Sequence, residues 1–126
     1  MVIDLHRDAV AENTRLVTEI QGKQVAKVMF FNGLGRSKGT GVISYLKNPY
    51  LEENLAFSFQ MKAACDEYYP GFARKNYLRA YRYNMHLCPK TLLVELGAQT
   101  NTKEEIHGAL GPLANVLNMV LSGNKE

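Results

Sequence analysis

Val2-Ile3-Asp4-Leu5-His6-Arg7-Asp8-Ala9 is the stretch from which the fold is read. An apolar, β-branched start runs into a His-Arg-Asp cluster, the pattern of a buried strand that presents polar side chains where it stops. In open α/β sheets, ligands collect at the carboxyl ends of strands. His6 is therefore a candidate metal ligand, provided that the rest of the chain supplies partners. Far along the sequence, Thr91-Leu92-Leu93-Val94-Glu95 repeats the form, a continuous apolar run that closes on one acid. Two such strands with a helix between them predict parallel neighbours in an α/β sheet. Gly97 then lets the chain turn sharply over the site.

Local pattern organises the residues in between. Leu16, Thr18 and Ile20 share a face, Gln21-Gly22-Lys23 marks a turn, and Val25 to Phe31 is β-rich. Together they predict a hairpin whose second strand is the more buried. Gly33, Gly35, Gly39 and Gly41 lie near Lys38 and Thr40, but the phosphate-loop spacings require glycine where Lys38 stands. That segment reads as a mobile surface loop. Asn48 and Pro49 predict a helix start, and Phe57, Met61, Ala64, Cys65 and Tyr68 form its apolar face. Asn54 and Ser58 fall on the same inward side, where polar groups need partners, so Asn54 is expected to anchor a neighbouring loop. Pro70-Gly71 ends the helix. Residues 72–83 alternate as Tyr77, Arg79, Tyr81 and Tyr83, which predicts a strand with packed tyrosines and solvated arginines. Thr102 and Glu105 make a capping box for a last helix, with Ile106, Ala109, Leu110, Leu113, Leu117, Val120 and Leu121 as its buried stripe. Pro112 predicts a kink there, or two abutting helices.

Composition sets the class. The 126 residues suffice for one domain with a real core, and 46% apolar against 21% charged residues exclude a disordered chain. Cys65 and Cys88 have no metal or redox spacing, and Cys65 reads as a small core residue. No signal peptide and no apolar run of membrane length occur. The chain opens directly on a strand, which suggests the later part of something longer. A net charge of +3 is too mild to imply nucleic acid. Two segments are nevertheless basic without acids: Lys23, Lys27, Arg36, Lys38 and Lys47, then Arg74, Lys75, Arg79, Arg82 and Lys90. They favour an anionic partner or substrate over the commoner solvated lysines. Interleaved tyrosines and arginines also suit single-stranded nucleic acid, a remote third reading.

Only His6, His86 and His107 are available as histidines. His107 lies off the apolar stripe and reads as a surface residue. His86 and Cys88 share a face if extended, but no third group orients them as a nucleophile and base. His6 with Glu95 is the stronger pair, the first as a zinc ligand and the second as the base that deprotonates water. Asp8 or Asp4 would fix the imidazole. The pattern is equally met if Glu95 pairs with Arg7 or Arg82 and His6 is merely hydrogen-bonded.

Three separated segments then resemble one family. Residues 2–9, Arg82-Tyr83-Asn84, and Leu93-Val94-Glu95-Leu96-Gly97-Ala98-Gln99-Thr100-Asn101-Thr102 resemble the signature segments of the stage II sporulation protein P family. Asn48-Pro49, Glu53-Asn54-Leu55 and Tyr69-Pro70-Gly71 extend the likeness over essentially the whole chain. The resemblance implies an α/β amidase-type domain with a mostly parallel central sheet, a hairpin and flanking helices. It implies zinc-dependent hydrolysis of the N-acetylmuramoyl-L-alanine amide of peptidoglycan during engulfment of the forespore. His6 matches a zinc ligand and Glu95 the catalytic glutamate, with Arg7, Asp8, Arg82 and Asn84 around the metal or the substrate. Arg79 or Arg82 would receive a carboxylate of the peptide stem. Family members act outside the membrane, behind an N-terminal anchor, beside a lytic transglycosylase, stage II sporulation protein D. The family's remaining ligands, a histidine and a glutamate, lie upstream of the first strand. Residues 1–126 are thus expected to be the C-terminal portion of one catalytic domain, with an incomplete metal site and an exposed sheet edge. A catalytically inactive module that binds the wall or a partner is the alternative.

Overall fold

The computed structural model describes residues 1–123. Strand β1 (Val2–Asp8) is followed by β2 (Val17–Ile20), β3 (Lys23–Ala26), β4 (Val28–Gly33), β5 (Arg36–Ser37) and β6 (Gly41–Val42). Helix α1 (Leu51–Tyr68), β7 (Tyr77–Arg79), β8 (Thr91–Ala98) and α2 (Lys103–Ser122) complete the chain. Four strands form the main sheet in the order β1-β8-β4-β7. β1 runs parallel to β8 and β7 parallel to β4, whereas the central pair β4 and β8 is antiparallel. The α/β architecture and the parallel pairing of the two apolar runs agree with the sequence.

Side chains alternate across this sheet, so each strand divides between two environments. Val28 and Phe30 of β4 and Leu92, Val94 and Leu96 of β8 are buried in one cluster with Phe57, Met61 and Cys65 of α1 and Ala109, Val116 and Met119 of α2. Both helices therefore cover one face. The other face carries Asp4, His6, Met29, Phe31, Leu93 and Glu95, and no helix of the described residues closes it.

Several local expectations are corrected. β1 is an edge strand rather than a buried one, with Ile3 and Leu5 exposed, because only β8 pairs with it. The run from Val25 breaks at Lys27, whose N–H and carbonyl turn to Leu16 and Gly97, so β3 belongs to the hairpin and β4 to the main sheet. Asn48 does not cap α1. Its amide donates to the Gly33 carbonyl at 2.9 Å, and the helix starts after Tyr50 without a side-chain cap. Only Tyr77–Arg79 of the alternating segment 72–83 is a strand, and all three residues are exposed. Proline at 112 leaves α2 a single helix, at the loss of one backbone bond. Leu110 and Leu121 are exposed, and Val116 and Met119 take their place in the core, because α2 meets the sheet on a face rotated from the expected stripe.

Two polar side chains hold the frame. Asn54 on α1 is buried; its amide donates to the Met85 carbonyl at 2.8 Å, and its oxygen accepts from the Thr91 N–H at 2.9 Å. It ties the helix to the loop that precedes β8, as its inward position in the sequence suggests. Asn54→Ala would orphan a buried donor and an acceptor at once, and unsatisfied groups of this kind cost about 1–3 kcal/mol each. Urea denaturation of that variant is expected to show a loss of roughly 2–6 kcal/mol, given the same cost per group.

The capping box of α2 forms as the sequence indicates, with Thr102 Oγ1 accepting from the Glu105 N–H at 3.1 Å and Glu105 returning the contact at 2.9 Å. Burial pushes the Glu105 carboxyl up, but the Thr102 N–H, Asn101 and Arg15 outweigh it and hold the group below the ordinary carboxylate range. A depressed acid contributes stability above its unfolded pKa and loses it as pH falls through the lower folded value. Acid titration of the folded chain should therefore show a stability loss below about pH 4, near the ordinary glutamate value, that Glu105→Gln flattens.

Candidate functional site

The in-register pairing of β1 with β8 sets His6 beside Glu95 on the open face of the sheet. Beyond that pair the register shifts, since β8 carries one residue more than β1 before Asp8 meets Ala98. Gly97 takes up the extra residue at φ +62°, and a Cβ there would lie 2.6 Å from Asn101 Oδ1. The glycine thus permits an irregularity within the strand, and not the loop expected after it. His6 and Glu95 accordingly sit mid-strand on a sheet face, whereas the sequence suggested a strand's carboxyl end.

A cleft of about 430 Å³ opens over this pair, lined also by Asp4, Phe31, Tyr83 and Asn84. His6 Nε2 lies 2.6 Å from Asp4 Oδ1, and the Asn84 amide donates to the other Asp4 oxygen at 2.9 Å. An aspartate beside Nε2 selects the tautomer protonated there and leaves Nδ1 with the lone pair. Tyr83 closes the cleft edge-on against Phe31, with ring centroids 4.9 Å apart. The loop that carries Tyr83 and Asn84 presses onto the sheet: a Cβ at Gly33 would lie 2.4 Å from the Arg82 carbonyl oxygen.

Glu95 is the unusual group. Its Oε2 is buried and accepts no hydrogen bond. Burial raises its pKa above the ordinary value and Asp8 adds to the rise, as does Asp4 more weakly, against the opposing charges of His6 and Arg74. A half-buried carboxylate with an unspent oxygen is suited to take a proton from water. Asp8 is committed elsewhere, to Arg74 at 2.7 Å and to the Ala9 N–H at 2.8 Å. Together with Arg74, Phe31, Tyr77 and Arg79, it lines a second cleft of about 380 Å³ that shares Glu95 with the first.

His6, Glu95, Asp8 and Asn84 are thus brought together, with Asp4 as the histidine's partner. Arg7 and Arg82 are not. Arg7 reaches across to the carbonyls of Ala98 and Asn101 at 2.8 and 3.1 Å, and Arg82 donates to the Lys47 carbonyl at 3.0 Å. Neither pairs with Glu95. Phe31, Tyr77, Tyr83 and Arg74 escaped the sequence reading as site residues, although the aromatic alternation through Tyr77 and Tyr83 was its visible trace. His86 Nδ1 contacts the Tyr83 carbonyl, 3.2 Å away, and His107 is exposed; neither joins the cleft.

Zinc is the metal that the resemblance implies. Among the described residues, no three His, Cys, Asp or Glu side chains form a group that would hold a metal ion. The described residues do not by themselves complete a zinc site.

A sequence model of the stage II sporulation protein P family matches residues 1–118. The chain belongs to that family. It is 28% identical over 120 residues to the stage II sporulation protein P of Bacillus subtilis (strain 168), a match covering 91% of this chain and 27% of the relative. The chain thus spans about a quarter of the length of the curated relative it matches. No solved structure matches it. The family is one of cell-wall hydrolases of sporulation engulfment. None of the helices among the described residues is long and apolar enough to cross a membrane.

The cost of holding Glu95 is measurable. An acid raised above its unfolded pKa makes the folded state bind protons more tightly, so stability falls as pH rises from the ordinary value through the raised one. Glu95→Gln removes that loss. Its denaturation midpoint is expected to exceed that of the parent chain at pH 7 and to converge with it near pH 4.

Proposed function

We propose that the chain carries part of the catalytic centre of a peptidoglycan amidase, which cleaves the amide between the muramic acid lactyl group and L-alanine. The observation that carries this reading is the buried, unpartnered Oε2 of Glu95, set beside His6 on an open sheet face. Glu95 takes a proton from water, and the water oxygen bonds to the amide carbonyl carbon. The carbon–nitrogen bond then breaks, and Glu95 returns the proton to the departing amine. The products are a lactyl carboxylate and a stem peptide with a free amino terminus. His6 is proposed as one zinc ligand, held by Asp4 and through it by Asn84. Asn84 and Tyr83 shape the wall that the substrate meets.

The setting is proposed on family grounds. The chain would act as the C-terminal portion of one catalytic domain, on the extracytoplasmic face of the membrane between forespore and mother cell. Stage II sporulation protein D is the proposed partner, and peptidoglycan the substrate.

The decisive test is a chimera in which residues 1–118 replace the matching segment of the Bacillus subtilis relative. Release of new peptide amino termini from purified cell walls is the readout. Glu95→Gln should lower it by about 10²–10⁴-fold, the usual contribution of a positioned acid–base group, and leave bound zinc unchanged. His6→Ala should lower both. Full activity of the glutamine variant would remove Glu95 from the chemistry, and undiminished wall binding without cleavage in the parent chimera would favour the inactive binding module.

A further inference from the structure

We propose that residues 36–47 form a membrane-docking loop, which seats Val42 and Tyr45 at the boundary between headgroups and acyl chains of an anionic lipid surface. These are the two most exposed large apolar side chains among the described residues, at 64% and 74%. Exposed apolar residues scattered singly are ordinary. Val42 and Tyr45 instead stand three positions apart in one segment, with Arg36, Lys38 and Lys47 exposed around them. No acid lies between Glu19 and Glu52 to offset those cations. The surface is independent of the reading of Glu95.

The backbone raises the segment as two fastened apices. β5 and β6 pair antiparallel, with Arg36 opposite Val42 and Ser37 opposite Gly41. Opposed residues project from the same face of a hairpin, so the Arg36 arm rises beside the Val42 methyl groups. Ser37 Oγ accepts from the Thr40 N–H at 3.1 Å and closes the tip around Lys38 and Gly39. The second apex is a turn closed from the Leu46 N–H to the Ile43 carbonyl at 2.9 Å, with Tyr45 near its centre. Below both, the Asn48 amide holds the Gly33 carbonyl and the Arg82 guanidinium holds that of Lys47. A loop ordered in this way gives up less freedom on docking than a slack one.

A lipid surface is the occupant that uses both features. Tyrosine favours the interfacial zone, where its ring is in an apolar layer and its hydroxyl stays wet. Lysine and arginine lay their stems along the same layer and carry their charge to headgroup phosphates. A nucleic acid would engage the same cations, but it binds through stacking on aromatic rings and offers nothing comparable to an exposed valine. Docking also has a consequence for the first cleft. Arg82, fastened to the base of the loop, immediately precedes Tyr83 and Asn84 in the cleft wall, so the opening is set close to the lipid surface.

Cosedimentation of the full chain with vesicles of equal parts phosphatidylglycerol and phosphatidylcholine, against phosphatidylcholine alone, tests this. The chain has no tryptophan, so Tyr45→Trp supplies a single emission reporter in the loop. The chain is expected to pellet with the anionic vesicles only, and the reporter emission to shift to the blue on them. Lys38→Gln should weaken partition about fivefold, the effect of one basic side chain near such a surface. Val42→Ser combined with Tyr45→Ser should weaken it roughly tenfold at unchanged charge, for the apolar area no longer withdrawn from water. Lys103→Gln, an exposed lysine at the start of α2, should leave it unchanged. Unchanged urea midpoints establish that the variants are folded. The docking loop is overturned if the anionic vesicles leave the chain in solution, if the reporter emission does not shift, or if the serine pair binds like the parent. It is equally overturned if Lys103→Gln weakens binding as much as Lys38→Gln. Tighter binding to a single-stranded oligonucleotide than to the vesicles, lost with Lys38→Gln, would overturn it in favour of nucleic acid.

Discussion

The register between β1 and β8 is the constraint on which the rest depends. The period of a strand is two residues, so sliding β1 by one position would move Asp4, His6 and Asp8 to the helix side and bring Ile3 and Leu5 to the cleft. The facing of β8 is fixed by its apolar side, since Leu92, Val94 and Leu96 must lie against α1 and α2. Leu93 and Glu95 are then left on the open side by arithmetic. A hydrophobic preference in one half of the sheet thereby decides the chemistry of the other half.

The electrostatics of the open face follow from crowding. Asp4, Asp8 and Glu95 occupy a small area, and two of the three have partners, Asp4 in hydrogen bonds with His6 and Asn84 and Asp8 in an ion pair with Arg74. Glu95 remains as the acid with a buried oxygen that nothing satisfies. Folded proteins rarely leave such atoms alone unless a ligand or a reaction uses them. The arrangement concentrates the cost of three nearby carboxyls on the one placed to exchange protons.

Much of this was legible in the residues, and the failures have physical causes. Apolar runs read truly where a strand is buried, as with Leu92 to Leu96. They misled for β1, because an edge strand with the same letters has no neighbour on its outer side. Asn54 was readable because a polar side chain inside a helix stripe must find partners, and the capping box because Thr102 and Glu105 are local to one another. Asn48 has a good cap sequence, but its amide nitrogen is tied to the Gly33 carbonyl and its oxygen, the atom a cap would use, meets no helix N–H, a tertiary placement that no local rule contains. Arg7 and Arg82 illustrate the same limit at the site. Their charge suggested substrate or Glu95, yet each satisfies backbone carbonyls contributed by distant segments. Conversely, Phe31 and Arg74 belong to the clefts only because strand pairing and chain return put them there.

The contact between Gly33 and the Arg82 carbonyl separates the frame of the cleft from its furnishing. Because the wall is seated backbone against backbone, its position does not depend on which side chains follow. Tyr83, although held at φ 53°, and Asn84 beside it project from that fixed rail. Exchanges at these two positions would change the outline and polarity of the opening without re-laying the loop. The same rail gives a protein engineer one position, Tyr83, at which the opening can be reshaped while Asn84 keeps its hold on Asp4 and through it on His6.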